Sequence, residues 1–127
     1  MKKKVLVVDD SSTMRRIITN ALIDLGVESN LITQAVDGSD ALGKMKTADN
    51  FDLILTDWNM PKMDGLTLVH NLRKLPKSEN TPIVMITTEG CKEEVVAALK
   101  SGVNNYIVKP FNSETLKSKL LPILRKV

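Results

Sequence analysis

Five side chains capable of acid, metal or phosphate chemistry stand where short apolar runs end. Asp9 and Asp10 follow the run "VLVV", and Asp57 follows "LILT". Thr87 closes "IVMIT", and Lys109 follows "YIV". What these side chains can do together depends on how the apolar runs are arranged in the fold.

The apolar runs have the length and composition of β-strands. They are rich in β-branched residues, and most are too short to be helices. The predicted strands cover residues 5–8, 31–35, 53–56, 83–87 and 106–108.

Helical patterns separate the predicted strands. In the first, apolar residues recur at helical spacing from Met14 to Leu25; Ser11 or Ser12 can cap its start and Gly26 its end. Further helices are predicted over residues 39–47, 66–75, 92–101 and from 113 onward.

Alternation of strands and helices predicts one parallel sheet covered on both faces. Since crossover connections are right-handed, the expected fold is an open, doubly wound α/β sheet of five strands with five helices. Ligands of such sheets bind outside the carboxyl ends of the strands. The three acids, the hydroxyl and the amine are therefore expected at one rim.

The chemistry of that rim follows from its charges. Three crowded carboxylates repel one another and lose hydration, and a divalent cation relieves both effects. Oxygen donors favour a hard ion, Mg²⁺ before softer metals. Lys109 and Thr87 suit the oxygens of a phosphoryl group, and Asp57 can itself be the nucleophile that forms an aspartyl phosphate. Alternatively, Asp57 caps a turn, because "NMPKMDG" is rich in turn residues, but this leaves the other acids unexplained.

Length and composition exclude several classes of protein. The 127 residues suit one domain, residues 1–127, with no output domain expected, and 43% hydrophobic residues suffice for a core. No apolar run approaches the ~20 residues of a membrane span. A net charge of +3 and 3% aromatic residues argue against nucleic acid as partner. The single cysteine fits a reducing, cytoplasmic setting.

Four motifs give the chain a resemblance to a known family. The stretches "VLVVDDSSTMRRII", "TDWNMPKMDG", "ITTEG" and "NYIVKPF" occur in this order, each at a predicted strand end. Together they resemble the receiver domains of bacterial two-component response regulators, and in particular the single-domain regulators of chemotaxis. The resemblance implies a flavodoxin-like strand order 2-1-3-4-5.

The resemblance also assigns roles at the predicted site. It implies that Asp57 is phosphorylated and that Asp9 and Asp10 hold Mg²⁺ together with Asp57 and the backbone carbonyl of Asn59. It further implies that Lys109 bonds the Asp57 carboxylate or a phosphoryl oxygen.

A second group of residues is implied to carry the signal. Thr87 meets the phosphoryl group and Tyr106 changes rotamer, while Asn59 and Glu89 tune the loss of phosphate. The signal is expected to leave by the face of helix 4, strand 5 and helix 5. Residues expected on that face are Lys92, Val95, Tyr106, Val108 and Lys119.

The implied function is a phosphoacceptor switch. A histidine kinase of chemotaxis is the expected phosphodonor and a flagellar motor switch protein the expected target, with a dedicated phosphatase where one exists. The chain is expected to be a monomer and an enzyme only towards its own phosphorylation and dephosphorylation. The alternative is a shuttle regulator in a multistep phosphorelay.

Two other classes share the predicted fold. A flavodoxin-type FMN carrier needs a hydroxyl- and glycine-rich loop after the first strand, where Asp9 and Asp10 would repel the phosphate. An aspartate-nucleophile phosphohydrolase needs an acid two residues after the nucleophile, and Asn59 stands there.

Pro122 is a departure from ordinary helix sequence. It lies inside the last predicted helix, which Asn112 or Ser113 can cap. Because proline lacks a backbone N–H, the helix is expected to kink at Pro122 or to restart as a short final turn, at a cost of ~3 kcal/mol.

Overall fold

The computed structural model describes residues 1–47 and 50–127, which form an open α/β sheet of five parallel strands. The spatial order is β2-β1-β3-β4-β5, as predicted. The strands are β1 (Val5–Val8), β2 (Ile32–Ala35), β3 (Leu53–Thr56), β4 (Ile83–Thr87) and β5 (Asn105–Val108).

Within residues 1–47 and 50–127, five α-helices connect and cover these strands. Side-chain caps begin four of them: Ser11 accepts from the N–H of Met14, Asp37 from Asp40, Asp64 from Thr67, and Asn112 from Thr115. Of the two pairs of cap candidates in the sequence, Ser11 and Asn112 are therefore the caps. The helices are α1 (Ser12–Asp24), α2 (Gly38–Thr47), α3 (Gly65–Lys74), α4 (Lys92–Lys100) and α5 (Ser113–Lys126).

Two strand boundaries differ from the prediction. Leu31 is not part of β2, because it ends a 3₁₀ turn (Ser29–Leu31) in which its N–H donates to the carbonyl of Glu28 at 3.0 Å. β5 begins one residue earlier than predicted, at Asn105.

The helix α5 continues through Pro122 to Lys126, so the predicted restart as a separate turn is wrong. Pro122 is exposed, whereas Leu120 and Leu124 on either side of it are buried in the core. Packing of these leucines holds the helix together where one hydrogen bond is missing.

The two faces of the sheet carry separate hydrophobic clusters. Because successive strand residues point to opposite faces, Val5 and Val7 of β1 join one cluster and Leu6 and Val8 join the other. α1 and α5 pack on the first face, and α2, α3 and α4 on the second. Both faces are thus covered, which leaves the carboxyl ends of the strands open. Within the described ranges no helix has the length and apolar character needed to traverse a bilayer.

One buried polar atom offers a test of this packing. Among the buried side-chain nitrogen and oxygen atoms of residues 1–47 and 50–127, Thr19 Oγ1 alone has no hydrogen-bond partner. The substitution Thr19→Val keeps the shape and removes the hydroxyl. We expect it to raise the free energy of unfolding, measured by urea denaturation, by about 1 kcal/mol. The control Thr13→Val, at an exposed position of α1, should change the free energy of unfolding by less than about 0.5 kcal/mol. A lower free energy of unfolding in Thr19→Val contradicts the conclusion that Thr19 Oγ1 is buried without a hydrogen-bond partner.

Candidate functional site

The register of the sheet brings the predicted acids together. β1 pairs with β3 so that Val8 lies beside Thr56, and the next residues along these strands are Asp9 and Asp57. Asp9 is 1% exposed and Asp57 9%, whereas Asp10 is exposed. One carboxylate oxygen from each of the three acids lies within 4.8 Å of the other two.

Lys109 places a positive charge between two of these acids. Its Nζ lies 3.1 Å from Asp9 Oδ2 and 3.5 Å from Asp57 Oδ2, and the side chain is 12% exposed. Burial raises the pKa of Asp57; the charge of Lys109 opposes this rise, and the charge of Asp9 adds to it. One lysine therefore compensates the acids in part.

Backbone N–H groups bind the second oxygen, Oδ1, of each buried carboxylate. Asp9 Oδ1 accepts from the N–H of Ser11 at 2.9 Å, and Asp57 Oδ1 accepts from the N–H of Trp58 at 2.7 Å. The N–H of Lys109 donates to the carbonyl of Thr87 at 2.8 Å, which aligns the ends of β4 and β5. Trp58 itself is half-buried, as expected for a residue that follows the rim acid.

Sequence reasoning missed the contribution of Gly65. Its N–H donates to the carbonyl of Trp58 at 2.7 Å, and a Cβ on this residue would lie 2.0 Å from the carbonyl oxygen of Asp57. α3 therefore begins directly against the backbone that carries Asp57. The signal in the sequence was a glycine next to the cap Asp64, where a helix former would be usual.

Thr87, Asn59 and Tyr106 meet at a single residue, Glu89. The N–H of Glu89 donates to Thr87 Oγ1 at 3.3 Å, and its carbonyl accepts from the hydroxyl of Tyr106. Its side chain accepts from Asn59 Nδ2 at 2.6 Å. Burial, with the negative charges of Glu94 and Glu89 adding to it, raises the pKa of Tyr106 to about 12. The four residues form one connected group beside the acids.

The residues predicted for the signalling face are accessible to different degrees. Lys92, Lys119 and Val108 are exposed, whereas Val95 and Tyr106 are half-buried. The sequence did not single out two further apolar residues of α4, Val96 and Leu99, which are 39% and 47% exposed.

The acid cluster has the chemistry of a site for a hard cation. The three carboxylates Asp9, Asp10 and Asp57 offer oxygen atoms alone, and Mg²⁺ prefers such donors. The excess of acids over the single lysine is the charge imbalance that a divalent cation relieves. These residues therefore fit bound Mg²⁺.

The sequence matches the response regulator receiver domain over residues 5–121. The chain belongs to this receiver family. Receiver domains catalyse their own phosphorylation and dephosphorylation and bind Mg²⁺ at an acidic cluster such as the one formed here.

Individual relatives are chemotaxis receivers. The chain is 52% identical over 121 residues to a CheY homolog of Campylobacter jejuni, covering 95% of this chain and 92% of that receiver. It is 53% identical to CheY1 of Helicobacter pylori, covering 95% and 96%. The solved structure of CheY4 of Vibrio cholerae superposes with a TM-score of 0.86 at 39% identity, covering 97% of this chain and 99% of that chain. The predicted resemblance to single-domain chemotaxis receivers is confirmed.

The close approach of Gly65 to Asp57 can be tested by adding one methyl group. We expect Gly65→Ala to lower the free energy of unfolding by about 2–3 kcal/mol, because backbone and not a flexible side chain opposes the new Cβ. The control is Gly43→Ala inside α2, where no atom lies within 4 Å of the added carbon. It should raise stability by about 0.5–1 kcal/mol. Equal effects of the two substitutions in urea denaturation contradict the prediction.

Proposed function

We propose that the chain is a phosphoacceptor switch in which Asp57 receives the phosphoryl group. The observation that carries this proposal is Lys109, whose Nζ lies 3.5 Å from Asp57 Oδ2 and 3.1 Å from Asp9 Oδ2. A largely buried ammonium between two carboxylates suits the oxygens of a transferring phosphoryl group. Asp57 directly follows β3 and is largely buried, whereas Asp10 is the exposed acid of the cluster.

The proposed reaction transfers a phosphoryl group from a histidine nitrogen of the donor to a carboxylate oxygen of Asp57. A carboxylate oxygen of Asp57 attacks the phosphorus of a phosphohistidine on the donor, so that a P–O bond forms as the P–N bond breaks. The released imidazole takes a proton from solvent. Lys109 stabilises charge on the transferring oxygens, and later attack by water returns free Asp57 and inorganic phosphate.

Bound Mg²⁺ supplies further positive charge to the phosphoryl oxygens. Its proposed ligands are the carboxylates of Asp9, Asp10 and Asp57 and the backbone carbonyl of Asn59. Lys109 and the N–H of Ser11 already hold Asp9, so its orientation is set before any cation arrives. Asp10, which is exposed, is the ligand nearest to solvent.

Asn59 and Glu89 are the proposed controls on phosphate lifetime. Each stands two residues after a member of the site, Asp57 and Thr87 respectively, and their side chains bond at 2.6 Å. This contact joins the loop after β3 to the loop after β4. Its opening or closing changes how easily water reaches a phosphoryl group on Asp57.

Thr87 and Tyr106 are the proposed switch. A phosphoryl group on Asp57 adds acceptor oxygens for the buried hydroxyl of Thr87. Movement of Thr87 towards them releases the N–H of Glu89, whose carbonyl holds Tyr106. The face that includes Lys92, Val95, Tyr106, Val108 and Lys119 then changes shape. Complete reversal of a two-state equilibrium needs a differential free energy of about 5.5 kcal/mol.

The proposed partners follow from the family and from this face. A histidine kinase is the phosphodonor, and a chemotaxis protein is the target, for which we propose the flagellar motor switch. The exposed lysines Lys92 and Lys119 with the exposed apolar Val108 suit an acidic, partly apolar helix.

Phosphate labelling tests the acceptor. Incubation with acetyl phosphate and Mg²⁺ should add one phosphoryl group, seen by intact mass spectrometry, and Asp57→Asn should abolish it. Chelation of the metal should also abolish it. The control Asp64→Asn changes an acid in the same loop that caps α3 and should label as wild type does. Labelling of Asp57→Asn to the wild-type extent rules out Asp57 as the acceptor.

A fluorine label on the single tyrosine of the chain tests the switch. We expect the ¹⁹F resonance of fluorotyrosine at position 106 to shift on phosphorylation in the wild type and in Thr87→Ser, which keeps the hydroxyl. It should stay unshifted in Thr87→Ala, although mass spectrometry still detects the phosphoryl group. An equal shift in Thr87→Ala shows that Tyr106 responds without the threonine hydroxyl.

A further inference from the structure

Arg15, in the first turns of α1, contacts the backbone of Asp9, whose carboxylate binds Lys109. Its Nη1 donates to the backbone carbonyl of Asp9 at 2.7 Å, and its Nε donates to Gln34 Oε1 on β2 at 3.0 Å. The half-buried guanidinium thus links α1, the end of β1 and the edge strand β2. The sequence motifs assign no role to this residue.

The carbonyl that Arg15 binds belongs to the peptide group between Asp9 and Asp10. A peptide group is planar, so fixing its oxygen fixes the direction in which the chain leaves Asp9 for Asp10. Within the part of the chain that the structure describes, the side chain of Asp10 makes no hydrogen bond, and Asp10 is exposed. Its position therefore depends on the backbone that carries it.

Asp9, in contrast, is held at each of its polar atoms. Its N–H donates to the carbonyl of Ala35 at 3.1 Å, and its carboxylate oxygens accept from Ser11 at 2.9 Å and from Lys109 at 3.1 Å. The bond from Arg15 completes this set at the carbonyl. Asp10 therefore lies between two held peptide groups: Asp9 Oδ1 binds the N–H of Ser11 after it, and Arg15 binds the carbonyl of Asp9 before it.

We propose that Arg15 is a positioning residue that sets the spacing of the Asp9 and Asp10 carboxylates for a divalent cation, with Gln34 orienting its guanidinium. This rests on the proposed metal site. Lysine cannot replace arginine in this role, because an ammonium group lacks the planar fork that reaches a carbonyl and an amide at once.

The charge of Arg15 and its hydrogen bond act on cation binding with opposite signs. A positive charge near the acids repels Mg²⁺, so its removal alone should tighten binding. Loss of the bond to the Asp9 carbonyl should loosen binding, because the cation must then order the Asp10 carboxylate itself. The direction of the change in affinity therefore separates the two effects.

The test is a titration with Mg²⁺, followed by the fluorescence of Trp58, the single tryptophan, and by calorimetry. We expect Arg15→Gln to weaken Mg²⁺ binding about tenfold, as for the loss of one hydrogen bond to a charged group. Arg15→Lys should also weaken it, and Gln34→Leu should weaken it by less, without a change of charge. The matched control Arg16→Gln removes the same charge from the next, exposed residue and should leave binding equal or slightly tighter.

Thermal unfolding in a chelator distinguishes loss of positioning from loss of fold. All variants are expected to be folded without metal and to unfold cooperatively on heating. If Arg15→Gln does not fold, Gln34→Leu, at an exposed position of the edge strand, provides a second test. Binding of wild-type strength or tighter in both Arg15→Gln and Arg15→Lys overturns the proposal. Failure of the proposed metal site itself gives a different result. In that case either the wild type shows no change on titration with Mg²⁺, or Asp10→Ala binds Mg²⁺ as the wild type does.

Discussion

Two buried carboxylates share one lysine ammonium, and the rest of the site depends on this imbalance. Asp10 is the third acid of the cluster, and Lys109 alone does not balance three carboxylates when all are ionised. Burial raises the pKa of Asp57 even with Lys109 nearby, so the fold by itself does not fully compensate the acid. Such a cluster is costly unless a cation compensates it. A divalent cation bound by the three acids would therefore stabilise the fold.

The parallel sheet determines where this imbalance arises. β1 and β3 lie side by side in the middle of the sheet, and both are buried along their whole length. Their side chains cannot carry charge until the strands end. Asp9 and Asp57 are the first residues beyond that point, so adjacent acids follow directly from adjacent strands in register.

The sequence predicted the fold and the rim residues because both depend on local patterns. Apolar runs and helical spacing mark the elements, and the candidate site residues Asp9, Asp10, Asp57, Thr87 and Lys109 stand at the ends of strands. It did not predict the contact of Gly65 with the backbone of Asp57, nor the bonds of Arg15 to Asp9 and Gln34. These depend on how loops and helices from distant parts of the chain meet. Likewise, the start of β2 was misplaced because Leu31, apolar like a strand residue, closes a 3₁₀ turn.

The contacts divide the site into a fixed half and a movable half. On the β1 and β3 side, backbone N–H groups bind the carboxylates of Asp9 and Asp57, and the backbone of Gly65 packs closely against that of Asp57. On the β4 and β5 side, the bonds of Glu89 end on side chains, namely those of Thr87, Asn59 and Tyr106. Side-chain rotation breaks such bonds without disturbing the sheet, whereas displacement of backbone in β1 or β3 would disturb both hydrophobic clusters. Charge added to Asp57 is therefore expected to be relieved by rearrangement of the Glu89 loop, which leads towards the face of α4, β5 and α5.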